Sequence, residues 1–270
     1  MAAREPRSDL PARVLAAIPA IAFAIFIVVE GGWVFAVAVL ALGIVALGEL
    51  YTMMARVRPA NLAGFLAVAG MVVVAQRWGL EQVVIALVCA FPVTFYFSFF
   101  RPRREHVSWA IAATLFGVLW IGLPLAHAVV LRKLPHGDGL LVDTLVGTFI
   151  GDTTAYFGGR IYGRRQLAPR ISPNKTFEGL VAGIVGGTLA FWFAGLYQDW
   201  LSGPDALLIG FLIALAAPVG DLFESLVKRD LEVKDTGRFF GAHGGVLDRL
   251  DAVLFTVVVA YYASVGLGYG

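Results

Sequence analysis

Acidic side chains that could bind a metal ion are concentrated in the C-terminal half of the sequence. Asp221, Ser225 and Lys228 follow one another at intervals of four and three residues, so a helix would present them on one face. Asp248 and Asp251, three residues apart, would share a face in the same way. Acids in or beside apolar segments mark candidate functional sites, and Mg²⁺ prefers oxygen ligands of this kind. The predicted metal ligands, with the first two preferred, are Asp221, Asp248, Asp251, Asp152 and Glu224.

Basic side chains and glycines surround the same acids. A metal held by carboxylates beside Lys and Arg suits a polyphosphate, because the metal bridges phosphate oxygens and the side chains offset their charge. The excess of basic residues on the cytoplasmic side of membranes would explain the Lys and Arg residues, but not the acids or His243. We therefore favour a catalytic interpretation. The residues concerned are Lys228, Arg229, Lys234, Arg238, Arg249, Gly241, Gly244 and Gly245.

A second polar stretch precedes this one. Ser172, Asn174, Lys175 and Thr176 could donate hydrogen bonds to a phosphate or a ribose. Thr176 could instead serve only as the N-cap of the helix that follows. Further on, glycines recur every four residues, which indicates a close-packed helix face rather than a ligand site. These glycines are Gly179, Gly183 and Gly187.

The composition excludes a water-soluble fold. Of the 270 residues, 59% are hydrophobic and 15% are charged, and the mean hydropathy is +0.80. Soluble domains are about 45–50% apolar and about 25% charged. The net charge of +2 is not gathered into the basic patches of a nucleic-acid-binding domain, so no nucleic acid is expected as a partner. Cys89 is the only cysteine, which excludes a disulfide framework and a cysteine metal cluster.

Apolar segments of about 20 residues, the length that crosses a bilayer, recur along the chain. All but Arg77, Arg132 and Lys133 of the 21 Lys and Arg residues fall at the N-terminus or in and beside every second loop. Since cytoplasmic loops carry the excess of Lys and Arg, we predict that the N-terminus is inside and the C-terminus outside. The predicted segments are 13–29, 33–53, 60–76, 80–99, 107–130, 139–161, 177–197, 205–228 and 248–268.

These segments predict an all-α polytopic membrane protein of about nine transmembrane helices. It forms a single membrane domain, 1–270, with mainly scaffold helices in 1–135 and a catalytic half in 136–270 that contains a polar cavity facing the cytoplasm. The main ionisable residues of the first five segments are Glu49 and His127. Each is interpreted as a helix-end residue or as an interior residue satisfied by hydrogen bonds.

Three short motifs lie at the end of the eighth segment and beyond it: Ser225-Leu-Val-Lys-Arg229, Lys234-Asp235 and His243-Gly-Gly-Val-Leu-Asp-Arg-Leu-Asp251. Together they resemble the signature of the phosphatidate cytidylyltransferases, also called CDP-diacylglycerol synthases, and fill each of its fixed positions. Two upstream runs, Asp152 to Tyr156 and Ser172 to Gly179, resemble the second motif region of that family, except that Thr154 stands where Gly is usual and Asn174 where a second Lys is common. The resemblance over the first five segments is one of general hydropathy.

The resemblance implies that CTP and phosphatidic acid react to give CDP-diacylglycerol and pyrophosphate. It implies Mg²⁺, allows a second, monovalent cation such as K⁺, and implies a homodimer. An integral protein of the cell inner or plasma membrane is expected, with its active site facing the cytoplasm, where CTP is found. Because the lipid phosphate already carries its nucleophilic oxygen, positioning and charge neutralisation can supply most of the catalysis.

Roles can now be assigned as hypotheses. The basic residues are expected to bind the triphosphate or the lipid phosphate. His243 either orients a phosphate, donates a proton to pyrophosphate or makes a purely structural hydrogen bond. The expected catalytic residues are Asp221, Asp248, Lys228, Arg229 and His243. The expected substrate-binding residues are Ser172, Asn174, Lys175, Thr176, Ser225, Lys234, Asp235, Gly244, Gly245 and Arg249.

Two other functions fit part of the pattern. A cation-coupled secondary transporter would also bury acids, but transporter sites lie near the membrane midplane beside broken helices, whereas these acids cluster near one face. Another lipid-headgroup transferase, such as a CDP-alcohol phosphotransferase, would carry its own acidic motif, and a lipid kinase would carry a phosphate-binding loop. The sequence shows neither that acidic motif nor a phosphate-binding loop. Product analysis distinguishes a cytidylyltransferase from a transporter and from another lipid-headgroup transferase.

Overall fold

The computed structural model describes residues 22–100, 106–237 and 244–270, most of which are helical. Helix α1 comprises residues 22–30; the rest of the first predicted segment lies outside the described residues. A π-helical turn, Val118–Gly122, joins α5 to α6. The bounds lie close to the predicted segments. The helices after α1 are α2 (Gly32–Met53), α3 (Asn61–Arg77), α4 (Leu80–Phe99), α5 (Val107–Gly117), α6 (Leu123–Lys133), α7 (Gly137–Tyr162), α8 (Phe177–Gly195), α9 (Gly203–Asp230) and α10 (Leu247–Gly266).

Six helices in the described part of the chain are long and apolar enough to cross a membrane. They are α2, α4, the continuous rod Val107–Lys133, α8, α9 and α10. Of the 18 most apolar consecutive residues of the rod, 78% are buried, against 22% of those in α4 and in α8. The rod therefore lies inside the bundle, whereas α4 and α8 present most of their apolar surface outwards, as helices in contact with lipid do. The chain is a largely helical, polytopic membrane protein.

One end of the bundle is closed by basic and aromatic side chains. Arg132 donates hydrogen bonds to two carbonyl oxygens in the last turn of α1, and Lys133 donates to two in the last turn of α3. Carbonyl groups in the last turn of a helix have no partner within the helix. At the same end, His136 stacks on Trp200, which contacts the ring of Tyr269. Two of the three basic residues predicted outside thus cap helix C-termini on one side of the bundle.

Helices α7 and α8 pack at backbone distance. A Cβ atom on Gly187 would lie 2.9 Å from the carbonyl oxygen of Gly147, and one on Gly183 would lie 2.8 Å from the Cβ atom of Ala155. A Cβ atom on Gly179 would lie 2.8 Å from a backbone oxygen of α7. Side chains larger than hydrogen would force the two helices apart, so the predicted close-packed glycine face is confirmed.

A short antiparallel hairpin, β1 (Gln166–Ala168) and β2 (Ser172–Thr176), connects α7 to α8. Ala168 pairs with Ser172 across the turn. The hairpin was not predicted and is the one departure from an all-α fold among the described residues. Its strands are made by pairing across a tight turn and carry no alternating apolar pattern, so sequence periodicity could not reveal them.

The hairpin is anchored to the first turn of α8. The side chain of Glu178 accepts hydrogen bonds from the backbone N–H groups of Arg164 at 3.0 Å and Arg165 at 3.3 Å. The hydroxyl oxygen of Thr176 accepts one from the backbone N–H of Gly179 at 3.1 Å, which confirms Thr176 as the N-cap. These contacts fix the direction in which β2 presents its side chains.

Candidate active site

Three carboxylates converge where α9 packs against α10. Asp221 and Glu224 lie one turn apart on α9, and Asp251 faces them from α10; one oxygen atom of each lies within 4.8 Å of those of the other two. Glu224 is 2% exposed, and its Oε1 is buried without a hydrogen-bond partner among the described residues. An unsatisfied buried oxygen is costly, and oxygen ligands of this kind suit a hard divalent cation. These residues, here named the acid triad, fit such a cation.

Two lysines offset the negative charge from either side. Lys175 Nζ, on β2, lies 2.5 Å from Asp221 Oδ2. Lys228 Nζ lies 2.8 Å from both Glu224 Oε2 and Asp248 Oδ1, so it links α9 to α10. Partly buried carboxylates this close together repel one another unless cations pair with them. The two lysines therefore make the cluster of acids compatible with a folded site.

Asp248 is bound to the loop before α10 and lies outside the acid triad. Its Oδ2 accepts hydrogen bonds from Thr236 N at 3.0 Å, Thr236 Oγ1 at 2.8 Å and Gly245 N at 2.8 Å. Its Oδ1 pairs with Lys228. The sequence favoured Asp248 beside Asp221 at the metal. Antiparallel packing instead places Asp248 level with Lys228, and the next turn of α10 level with the triad.

A cavity of about 480 Å³ opens beside the acid triad, between α7, the hairpin, α8 and α9. Small and apolar residues of the three helices, with Leu167 of β1, form the remainder of its wall. The structure thus brings the upstream polar stretch together with one acid of α9 and one of α7. The charged and hydrogen-bonding side chains that line it are Asp152, Tyr156, Arg160, Ser172, Asn174, Lys175, Thr176 and Asp221.

The other predicted site residues lie around the loop between α9 and α10. Arg229 Nε donates a hydrogen bond to the carbonyl oxygen of Ile171 at 3.1 Å, which ties the hairpin turn to α9. Gly244 has a φ of +84°, and a Cβ atom there would lie 2.7 Å from Asp248 Oδ2, so this position requires glycine. His243 lies outside the described residues. The remaining predicted site residues lie near this loop and do not line the cavity. They are Ser225, Lys234, Asp235, Gly245 and Arg249.

Two residues of this region escaped the sequence prediction. Thr236 gives both its N–H and its hydroxyl to Asp248 and is 4% exposed. Glu49, on α2, accepts hydrogen bonds from the backbone N–H groups of Val246 and Leu247. Glu49 did carry a signal, because it is an acid in an otherwise apolar helix. Thr236 carried no such signal, because a threonine in a polar loop is common.

Gly220 lets α9 and α10 approach closely beside the triad. A Cβ atom there would overlap the carbonyl oxygen of Asp251 and lie 3.0 Å from Ala252 Cα. We expect Gly220→Ala to separate the helices and to lower stability by about 1–3 kcal/mol. Because a shift of about 1 Å can cost roughly 100-fold in rate, turnover should fall by up to that factor. The measurements are the thermal unfolding midpoint in detergent and the rate of the reaction proposed below.

Gly70→Ala is the matched control for this substitution. Gly70 lies inside α3, and a Cβ atom there would meet nothing within 4 Å. Replacing a helical glycine by alanine in open space stabilises a helix by roughly 0.5–1 kcal/mol, so no loss of stability or turnover is expected. Equal behaviour of the two variants would contradict the role given to Gly220.

The fold and the candidate site together define an integral membrane protein with a cavity between its helices, lined in part by charged and hydrogen-bonding side chains and lying beside three carboxylates. The sequence model of the cytidylyltransferase family matches residues 11–265. The chain belongs to the cytidylyltransferase family, whose members are nucleotidyltransferases.

Three relatives illustrate the similarity. A phosphatidate cytidylyltransferase of Mycobacterium leprae is 37% identical over 150 residues, which cover 56% of this chain and 48% of the relative. A protein of Escherichia coli, named only as uncharacterized protein YnbB, is 38% identical over 157 residues, with coverage of 56% and 53%. The chain thus spans about half the length of these two relatives. A phosphatidate cytidylyltransferase of Bacillus subtilis is 30% identical over 267 residues, which cover 94% of this chain and 97% of the relative.

Proposed function

We propose that this protein is a CTP:phosphatidate cytidylyltransferase, which transfers CMP from CTP to phosphatidic acid. The observation that carries the proposal is the acid triad beside a cavity lined by Lys175, Arg160 and the hydroxyl groups of Ser172 and Thr176. Carboxylates that suit a divalent cation, next to donors that suit phosphate, are what a nucleoside triphosphate requires. The names of the M. leprae and B. subtilis relatives support the same activity.

Mg²⁺ is the proposed cation, and the acid triad would hold it. A cation held there would offset the negative charge of the substrate phosphates. Asp152, which lines the cavity from α7, remains a proposed further ligand. Asp248, whose two oxygens are already paired, is proposed to hold the loop before α10. A second, monovalent cation such as K⁺ stays a proposal from the family resemblance.

The proposed reaction requires no strong general base. A phosphate oxygen of phosphatidic acid bonds to the α-phosphorus of CTP, and the bond from that phosphorus to the oxygen shared with the β-phosphate breaks, which releases pyrophosphate. Since phosphate groups are largely ionised near neutral pH, the nucleophilic oxygen needs no deprotonation. Lys175, which lines the cavity, is proposed to bind phosphate oxygens, with Ser172 and Thr176 as hydroxyl donors; Lys228, paired with Glu224 and Asp248 on the other side of the acids, is proposed to assist. Their contribution is positioning and charge neutralisation.

We further propose about nine spans, with the N-terminus inside, the C-terminus outside and the cavity facing the cytoplasm. The support is the distribution of charge. All but three of the 21 Lys and Arg residues belong to the predicted cytoplasmic side, which is also the side of the triad. Arg132 and Lys133 cap helices at the opposite end. The family resemblance supports a homodimer in the inner or plasma membrane.

The deciding experiment is product analysis with the purified full-length chain. We expect pyrophosphate and CDP-diacylglycerol to form only when CTP, Mg²⁺ and phosphatidic acid are all present. Omitting each component in turn, and replacing CTP by ATP, supplies the controls. Pyrophosphate release without the lipid, or an absence of lipid product with all three present, would overturn the proposal. Cation-dependent uptake into proteoliposomes without product would indicate a transporter instead.

A further inference from the structure

Glu49 reaches from α2 to the start of α10. Its Oε1 accepts a hydrogen bond from Val246 N at 3.0 Å, and its Oε2 accepts one from Leu247 N at 2.9 Å. These partners are 197 and 198 residues away along the chain. The hydroxyl of Thr236 lies 3.4 Å from the same Oε2. One carboxylate therefore joins the scaffold half of the protein, the loop before α10 and α10 itself.

Two glycines make room for this carboxylate. A Cβ atom on Gly237 or on Gly245 would overlap the carboxylate group of Glu49. Gly245 belongs to the motif that begins at His243. The backbone of the loop thus closes around the carboxylate, and a side chain at either glycine would have to expel it.

These contacts replace a local cap at the start of α10. The first N–H groups of a helix have no partner within the helix, and Val246, at the N-cap position, provides no side-chain cap. Asp248 binds the N–H of Gly245, and Glu49 binds those of Val246 and Leu247, so carboxylates take three consecutive amides. Negative charge at this end of a helix is also favoured by the helix dipole.

Helix α10 carries two acids of the site just beyond this anchor. Asp248 follows Leu247 directly and pairs with Lys228. Asp251, one turn further along, completes the acid triad. Because Glu49 holds two consecutive amides, it restrains both the rotation of α10 about its axis and its position along that axis. A change in either would move both acids.

We propose that Glu49 is a positioning residue for the acid triad. By holding the start of α10 it sets the distance from Asp251 to the two acids of α9, and it acts through the backbone without touching substrate. For turnover the inference rests on the proposed reaction, whereas for cation binding it rests on the geometry alone. The carboxylates of Glu49 and Asp248 also occupy the N–H groups at the start of α10, which a substrate phosphate could otherwise bind. We therefore expect phosphate to bind at the side of the cavity that contains Lys175.

The test compares Glu49→Gln and Glu49→Asp with Glu81→Gln. Glutamine sets an NH₂ group against one of the two N–H donors, and aspartate keeps the charge but is too short to reach both amides. Glu81, exposed in the first turn of α4, is the matched control for loss of charge. Each full-length protein is purified in detergent, and Mn²⁺ binding is measured by electron paramagnetic resonance without nucleotide or lipid. Hydrogen exchange of peptides within 244–251 and pyrophosphate release are measured in parallel.

We expect folded Glu49→Gln to bind Mn²⁺ roughly 10–100-fold more weakly, the usual cost of losing a residue that orients metal ligands. Peptides that contain Val246 and Leu247 should exchange faster. The cation concentration for half-maximal turnover should rise by the same factor, while KM for CTP at saturating cation should not change. Glu49→Asp should lie between this variant and the wild type, and Glu81→Gln should match the wild type.

Three results would overturn the inference or separate it from the proposed reaction. Wild-type Mn²⁺ affinity in folded Glu49→Gln overturns it, even if the yield of folded protein is lower; if that variant does not fold, the Mn²⁺ affinity of Glu49→Asp decides in the same way. A wild-type protein that binds no Mn²⁺ overturns the inference, whereas the proposed reaction is decided by product formation. Mn²⁺ binding that depends on Glu49, without any CDP-diacylglycerol formation, overturns only the reaction.

Discussion

Replacing Asp221 by asparagine is expected to slow CMP transfer on the order of 1,000-fold, a loss of about 4 kcal/mol in the stabilisation of the transition state. Asparagine keeps the shape of the side chain but removes one of the three charges of the acid triad. It also removes the partner of Lys175, whose ammonium group then lies beside the cavity without its ion pair. The measurement is the rate of pyrophosphate release as a function of Mg²⁺ concentration, together with Mn²⁺ binding to the free protein.

Asp230→Asn is the matched control for this prediction. Asp230 is exposed at the end of the same helix, so the substitution removes the same charge away from the triad. Exposed substitutions of this kind change energies by no more than about 0.5 kcal/mol, which corresponds to roughly twofold in rate. A rate for Asp221→Asn within tenfold of the wild type, with an unchanged dependence on Mg²⁺, would remove the triad from the catalytic site.

Asp248→Asn is expected to lower turnover roughly 100-fold and stability by about 2–3 kcal/mol. Neither orientation of the asparagine amide satisfies its neighbours. If the NH₂ group replaces Oδ2, it faces the N–H groups of Thr236 and Gly245; if it replaces Oδ1, it faces the ammonium group of Lys228. The loop before α10 should loosen as a result, which hydrogen exchange of peptides within 244–251 and the thermal unfolding midpoint would show.

This variant also distinguishes the two roles considered for Asp248. A residue that holds the loop changes hydrogen exchange in the loop, and it affects Mn²⁺ binding only through the displacement of α10. A direct metal ligand changes Mn²⁺ binding while the loop stays protected. Near-normal turnover would contradict both roles. Asp199→Asn, an exposed site at the opposite end of the bundle, controls for the loss of one charge and should behave as the wild type.

The helices of this protein follow from sequence because a bilayer requires apolar segments of a set length. The bounds of α9 and α10 therefore lie near the predicted ones. The identity of the site residues also follows in part, since carboxylates in such segments are costly unless they have a task. Asp221, Glu224 and Asp251 were all among the candidate metal ligands and lie together, whereas helix spacing had suggested that Asp221 approaches Asp248. The hydrogen-bonding residues of β2 reach the same cavity.

The relative register of α9 and α10 could not be predicted. It depends on where the helix backbones cross, at Gly220, and on how the loop between the helices closes. A shift of one helical turn decides whether Asp248 or Asp251 faces Asp221, and helical periodicity is the same for both. The contact of Glu49 with α10 could not be predicted from the sequence for a related reason. It joins residues nearly 200 positions apart, and no local pattern encodes such a pairing.

The bond between Glu49 and α10 bears on how the protein is made. A chain synthesised from its N-terminus places the carboxylate of α2 at the membrane long before the amides of α10 exist. Until the last helix arrives, that carboxylate has neither of its backbone partners, and the acids of α9 lack Asp251. The acid triad is therefore complete only once α10 has been synthesised, and a chain cut short before α10 would leave Glu49 and the acids of α9 without these partners.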